Sequence, residues 1–129
     1  MAPYPPQQLV TDWISWAEIA SFQGKYSEPE NPYIIAFDEM LWLVANSPDA
    51  AWSAILDILQ LDPPAQVQAL LAAGPIEDLL FLHGAEFIER IEREARANSK
   101  FSLLLEGVSQ LETAPDVWER FVKLRGGGA

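Results

Sequence analysis

The sequence predicts an all-α fold: a compact irregular bundle of about seven short helices, with a solenoid-like stack of helical hairpins as the alternative. Three observations carry this. Apolar residues recur at helical spacing along most of the chain, prolines and glycines punctuate it at regular intervals, and no segment alternates apolar and polar residues over a useful length. The 129 residues are half hydrophobic and 21% charged, a globular rather than a disordered balance. Residues 1–125 are expected to form a single helical domain, with 126–129, Gly-Gly-Gly-Ala, as a disordered tail.

The first helix is expected over Gln8–Ser21, after Tyr4-Pro5-Pro6. Leu9, Trp13, Trp16 and Ala20 share one stripe, with Val10, Ile14 and Ala17 beside it. Residues 22–34 hold Gly24, Pro29 and Pro32 and read as the longest loop, carrying Tyr26, Glu28, Glu30 and Tyr33. A second helix runs from Ile35 to Asn46. It is apolar all round from Met40 to Ala45, which places it at the centre of a bundle. Ser47-Pro48-Asp49 starts a third, with Ser47 as cap and Trp52, Ile55, Leu56 and Leu59 inward.

Asp62-Pro63-Pro64 opens a helix through Val67, Leu70 and Leu71. Gly74 then reads as a left-handed helix stop and Pro75 as the first position of the next helix, which His83-Gly84 ends. In Ala85–Asn98, Phe87, Ile88, Ile91 and Ala95 face inward. Glu86, Glu89 and Glu92 each precede an arginine (Arg90, Arg93, Arg96) by four residues, the favourable order for exposed ion pairs. After a break at Asn98-Ser99, Phe101, Leu104, Leu105 and Val108 form another stripe. Thr113-Ala-Pro-Asp116 resembles a capping box opening a last helix, with Val117, Trp118, Phe121 and Val122 inward.

Residues 72–105 are similar to a bacterial domain family of unknown function. That family is marked by a Gly-Pro-Leu-Glu-Asp-Leu-Leu signature, a following His-Gly pair and an acidic-basic helix. Here these are Gly74-Pro75-Ile76-Glu77-Asp78-Leu79-Leu80, His83-Gly84 and Phe87-Ile-Glu-Arg-Ile-Glu92, with Ile76 where the family has Leu. The similarity takes in the Trp52–Leu61 helix, roughly the central half of the chain, and implies no activity. Capping explains most of the motif, with Glu77 and Asp78 in a first turn where the helix dipole favours carboxylates.

The chemistry that these residues exclude is extensive. With no cysteine, disulfides and thiolate metal sites are ruled out. His83 is the only histidine, so a carboxylate-bridged di-metal bundle cannot be assembled, and no nucleophile motif surrounds it. Asp38 and Glu39 are adjacent on a helix and point about 100° apart, which does not converge two acids for acid/base work. No calcium loop or phosphate-binding glycine loop is present. The expectation is therefore no enzyme, no catalytic residue, no metal and no cofactor. The N-terminus has no signal-peptide pattern, and the Met40–Ala45 run is too short for a span, so a cytoplasmic protein without a membrane association is expected.

Net charge is −11, and up to Glu89 the only basic residue is Lys25. Such a chain repels nucleic acid and attracts basic proteins. The leading expectation is an acidic protein-interaction domain, an immunity-type inhibitor or adaptor with a basic protein partner. Glu28, Glu30, Asp38, Glu39, Glu77, Asp78 and His83 are the candidate interaction residues. Trp13, Trp16, Trp42, Trp52 and Trp118 all fit inward faces and core packing; Trp16 and Trp42, whose helices have apolar residues on more than one side, are the candidates for an exposed hot spot. Two alternatives stand beside it. One is a DNA mimic presenting Asp38, Glu39, Asp49, Asp57 and Asp62. The other is a homo-oligomer or structural subunit using the Ile35–Ala45 helix.

Overall fold

A computed structural model describes residues 4–125. All of the regular structure among the described residues is helical, as expected of an all-α chain. The chain divides into two compact units, Met1–Leu70 and Leu71–Ala129. The expected disordered tail, 126–129, lies outside the described residues.

In the first unit α1 (Pro6–Gln23), α2 (Ile34–Asn46) and α3 (Pro48–Gln60) pack pairwise against one another. Prolines at the first turns of α1 and α3 fit positions whose N–H has no intrahelical partner. α1 ends at Gly24, whose φ of 69° is the left-handed conformation that closes a helix. Its inner stripe is the expected one: Leu9, Val10, Trp13, Trp16, Ala17 and Ala20 are buried. Ala51, Ala54, Ile55, Ile58 and Leu59 of α3 complete the core. Ser47 precedes α3, but its side chain makes no capping hydrogen bond; Pro48 and Asp49 alone mark that helix start.

The position of α2 corrects the sequence-based expectation. Ala36, Met40 and Val44, spaced by four, are buried, whereas Ile35, Leu41, Trp42 and Ala45 are exposed. In a three-helix unit each helix turns one face to the other two, so a helix that is apolar all round leaves half its apolar surface outside.

The loop between α1 and α2 is pinned rather than a loose connector. Asn31 is fully buried; its Nδ2 donates to the carbonyls of Trp16 (3.0 Å) and Lys25 (2.9 Å), and its Oδ1 accepts from the Tyr33 N–H (3.2 Å). Trp16 Nε1–H donates to the Tyr26 carbonyl at 2.9 Å.

α4 (Ala65–Leu71) closes the first unit, and the second unit is built on a π-turn at Ala72–Ile76 that continues as α5 (Glu77–Ala97). Gly74 does not stop a helix here. It is not left-handed, and the π-turn accommodates Pro75 by displacing the hydrogen-bond ladder that proline cannot join. α5 is bent, not ended, at His83 (φ −135°, ψ 28°). Ala65–Ala97 is long and apolar enough to cross a membrane by length and composition. Yet Ala72, Ile76, Leu79 and Leu80 are core residues, and the run carries Glu77 and Asp78, a pattern that a core helix also shows.

α6 (Ser99–Leu104) starts at Asn98, whose side-chain oxygen accepts from the N–H groups of Lys100 (3.1 Å) and Phe101 (3.3 Å). A 3₁₀ turn, Leu105–Gly107, follows and packs on the π-turn. A Cβ on Gly107 would come within 3.1 Å of the Ala72 Cβ. α7 (Pro115–Val122) packs on α5. The expected capping box does not form: the residue preceding α7 is Ala114, without a side-chain cap, and Thr113 is buried. Gly84 lies where α7 crosses, and a Cβ there would meet Val117 Cγ1 at 3.0 Å.

Candidate interaction surface

α2 presents the most distinctive surface of the first unit. Ile35, Asp38, Trp42 and Ala45, spaced by three, four and three residues, form one outward stripe, with Leu41 at its edge. Ile35 is 60% exposed, Trp42 56% and Leu41 45%. The opposite face holds the stripe in place: Met40 and Val44 are buried, and the Phe37 ring lies 4.4 Å from that of Trp16. A tryptophan held on a packed helix is ordered by the backbone beneath it, so little further entropy is lost when a partner covers it.

The unit that carries this stripe is acidic. Residues 1–70 carry nine carboxylates against Lys25 alone. Asp38 is exposed within the stripe and Glu39 is half-buried beside it. Glu28 and Glu30 are exposed on the α1–α2 loop, with Glu30 Oε2 4.0 Å from Lys25 Nζ, an exposed pair of little energetic consequence. Asp49 and Asp57 on α3 and Asp62 after it are also exposed. The unit thus combines exposed carboxylates with an exposed apolar stripe on α2.

The two tryptophans singled out from sequence part company. Trp42 is exposed, whereas Trp16 is 4% exposed, its ring in the core and its N–H satisfied. Both helices have apolar residues on two sides. What separates them is that α1 receives α2 and the loop on its second side, a tertiary fact with no local sequence mark.

The remaining candidates lie in the second unit and do not form one site. Glu77 is 6% exposed and its carboxylate accepts a hydrogen bond from the Ser109 N–H; it fastens the start of α5 to the segment after the 3₁₀ turn and presents nothing to the surface. Burial pushes its carboxyl above the ordinary glutamate range, against the pull of that hydrogen bond, with Asp78 adding a smaller upward push. Asp78 is half-buried, and desolvation raises it as well. His83 sits at the bend of α5 in a cleft of about 330 Å³. The cleft is also lined by Glu86 and Asp116, and not by Glu77 or Asp78. The His83 and Phe87 rings are 6.3 Å apart.

Glu92 departs from the expected pairing along α5. Both its oxygens are held by Arg120 of α7, at 2.6 and 3.2 Å, rather than by Arg96 one turn along. Among the described residues no group of three or more histidine or carboxylate side chains is placed to share a metal ion.

A family profile matches residues 23–128, most of the chain. The chain belongs to DUF6869, a family of unknown function. The match begins at the end of α1, so it takes in the α2 stripe, the π-turn and the α5 bend together, and is wider than the central half that the sequence resemblance covers. No curated protein and no solved structure matches the chain.

Proposed function

We propose that this DUF6869 chain works by binding rather than by catalysis, docking a basic amphipathic segment of another protein on the outer face of α2, as an immunity-type inhibitor or adaptor would. The observation that carries the reading is the exposed stripe of Ile35, Leu41, Trp42 and Ala45 around Asp38, on a unit with nine carboxylates and one lysine. Exposed aromatic anchors supply most of the binding energy at protein interfaces, while complementary charge sets the rate of encounter and rejects wrong partners. A partner helix with apolar residues at i, i+3, i+4 and i+7 and flanking lysines or arginines matches both features.

Two copies of the chain meeting face to face on α2 would bring the Asp38 and Glu39 carboxylates of both into one interface, a concentration of like charge that disfavours self-association there. A DNA mimic needs the carboxylates and has no use for an apolar stripe among them. Both stay as outcomes of the experiment. Wild-type and Trp42→Ala chains are used as baits in lysate of the source cell and washed at low and then high salt. The reading expects a basic protein that wild type retains at low salt and releases at high salt, and that Trp42→Ala does not retain. Equal retention by both baits would contradict it and favour the DNA mimic, and a bait that captures only itself would favour the oligomer.

A further inference from the structure

The basic residues of this acidic chain are not scattered. In the second unit Arg96 of α5, Arg120 of α7 and Lys123 just after it line one cleft of about 660 Å³. Glu92 is the only carboxylate among its described lining residues, and both its oxygens are bound by Arg120. Two cationic side chains therefore face the cleft without a carboxylate of its wall committed to them, in a chain with 19 acidic and 8 basic residues. Ala95 and Leu124 give the same cleft an apolar side. The volume is within the range of small-molecule sites, and the wall is more polar than apolar, as suits a charged ligand.

We propose that this cleft is a binding site for a small organic anion, a phosphate monoester with an apolar body. Its phosphate would be held by Arg96, Lys123 and the Arg120 guanidinium, and its body would lie against Ala95 and Leu124. Guanidinium groups suit this chemistry because their planar donors meet two phosphate oxygens at once, and lysine adds a mobile point charge. Glu92 competes with the ligand for Arg120 and so sets the affinity from within the site. The site is independent of the α2 surface and stands or falls separately from it.

The test is calorimetric titration of the full chain at low salt with phenyl phosphate, with inorganic phosphate as the probe lacking the apolar body. The site predicts saturable one-to-one binding, tighter for phenyl phosphate. Arg96→Gln and Lys123→Gln should each weaken it by about tenfold, whereas Arg93→Gln, an exposed cation of α5 outside the cleft, leaves it unchanged. Glu92→Gln should strengthen binding, because it releases Arg120; a merely structural Glu92–Arg120 pair would not produce that gain. Circular dichroism verifies that each variant is folded. Absence of saturable binding by the wild-type chain, or an equal loss in Arg93→Gln, would overturn the proposal.

Discussion

Asn31 and Glu77 are two buried polar side chains with opposite consequences. Asn31 satisfies two carbonyls and one N–H of the backbone around it, so truncation leaves several buried groups without partners. Asn31→Ala is expected to destabilise the chain by about 1–3 kcal/mol in urea unfolding. Glu77 gains one hydrogen bond from Ser109 and loses hydration. With its native pKa above the ordinary 4.5, the folded state holds the proton more readily than the unfolded chain. Its contribution to stability is therefore fully present below that ordinary value and is lost as pH rises through the raised native one. Glu77→Gln keeps an acceptor for Ser109 without the charge, and should flatten that decline in unfolding measurements at successive pH values. Glu77→Ala removes the acceptor and should cost about 1 kcal/mol in acid, where that contribution is fully present, and less at neutral pH. Neither role is legible in the sequence. Asn31 lies in a stretch that reads as an exposed loop, and Glu77 stands where a carboxylate in a first helical turn is ordinarily solvated. Partners 15 residues away in one case, and 32 in the other, decide their burial.

Helices were the legible elements, because apolar spacing between prolines and glycines is a local signal. The ways in which they join and face were not. Gly74-Pro75 has the grammar of a helix stop and restart, and the chain instead passes through as a π-turn. This separates two glycines by experiment. Beyond its chain neighbours Gly74 has open space where a Cβ would be, and no left-handed φ, so Gly74→Ala meets only the crowding of the following Pro75 ring and should change stability by less than about 1 kcal/mol in thermal unfolding. Gly84→Ala would drive a methyl into Val117 and should cost about 1–3 kcal/mol. The same limit applied to α2. Its composition specifies a helix that fits a bundle centre, and only the number of neighbours decides which apolar stripe is covered. Trp42→Ala should accordingly change stability by less than about 0.5 kcal/mol, against about 3–5 kcal/mol for Trp16→Ala, in parallel denaturation curves.

Across the whole chain, the uneven charge read from sequence follows the division into units: residues 1–70 hold nine carboxylates and one lysine, and every arginine falls in Leu71–Ala129. The sequence makes that asymmetry plain, since counting charges needs no fold. It does not say where the exposed apolar stripe of the acidic unit lies, or that three cations of the second unit share a cleft, because both depend on which helix faces turn outward. On the proposed function, binding is specified by the α2 face and not by net charge alone. The most direct measurement compares capture of the basic partner by Asp38→Lys and Asp57→Lys baits. Both substitutions replace an exposed aspartate of the first unit and change the net charge equally, one within the α2 stripe and one on α3. Asp38→Lys is expected to lose the partner while Asp57→Lys retains most of it at low salt. Equal loss in both variants would show that charge alone governs capture and would contradict a docking site on α2.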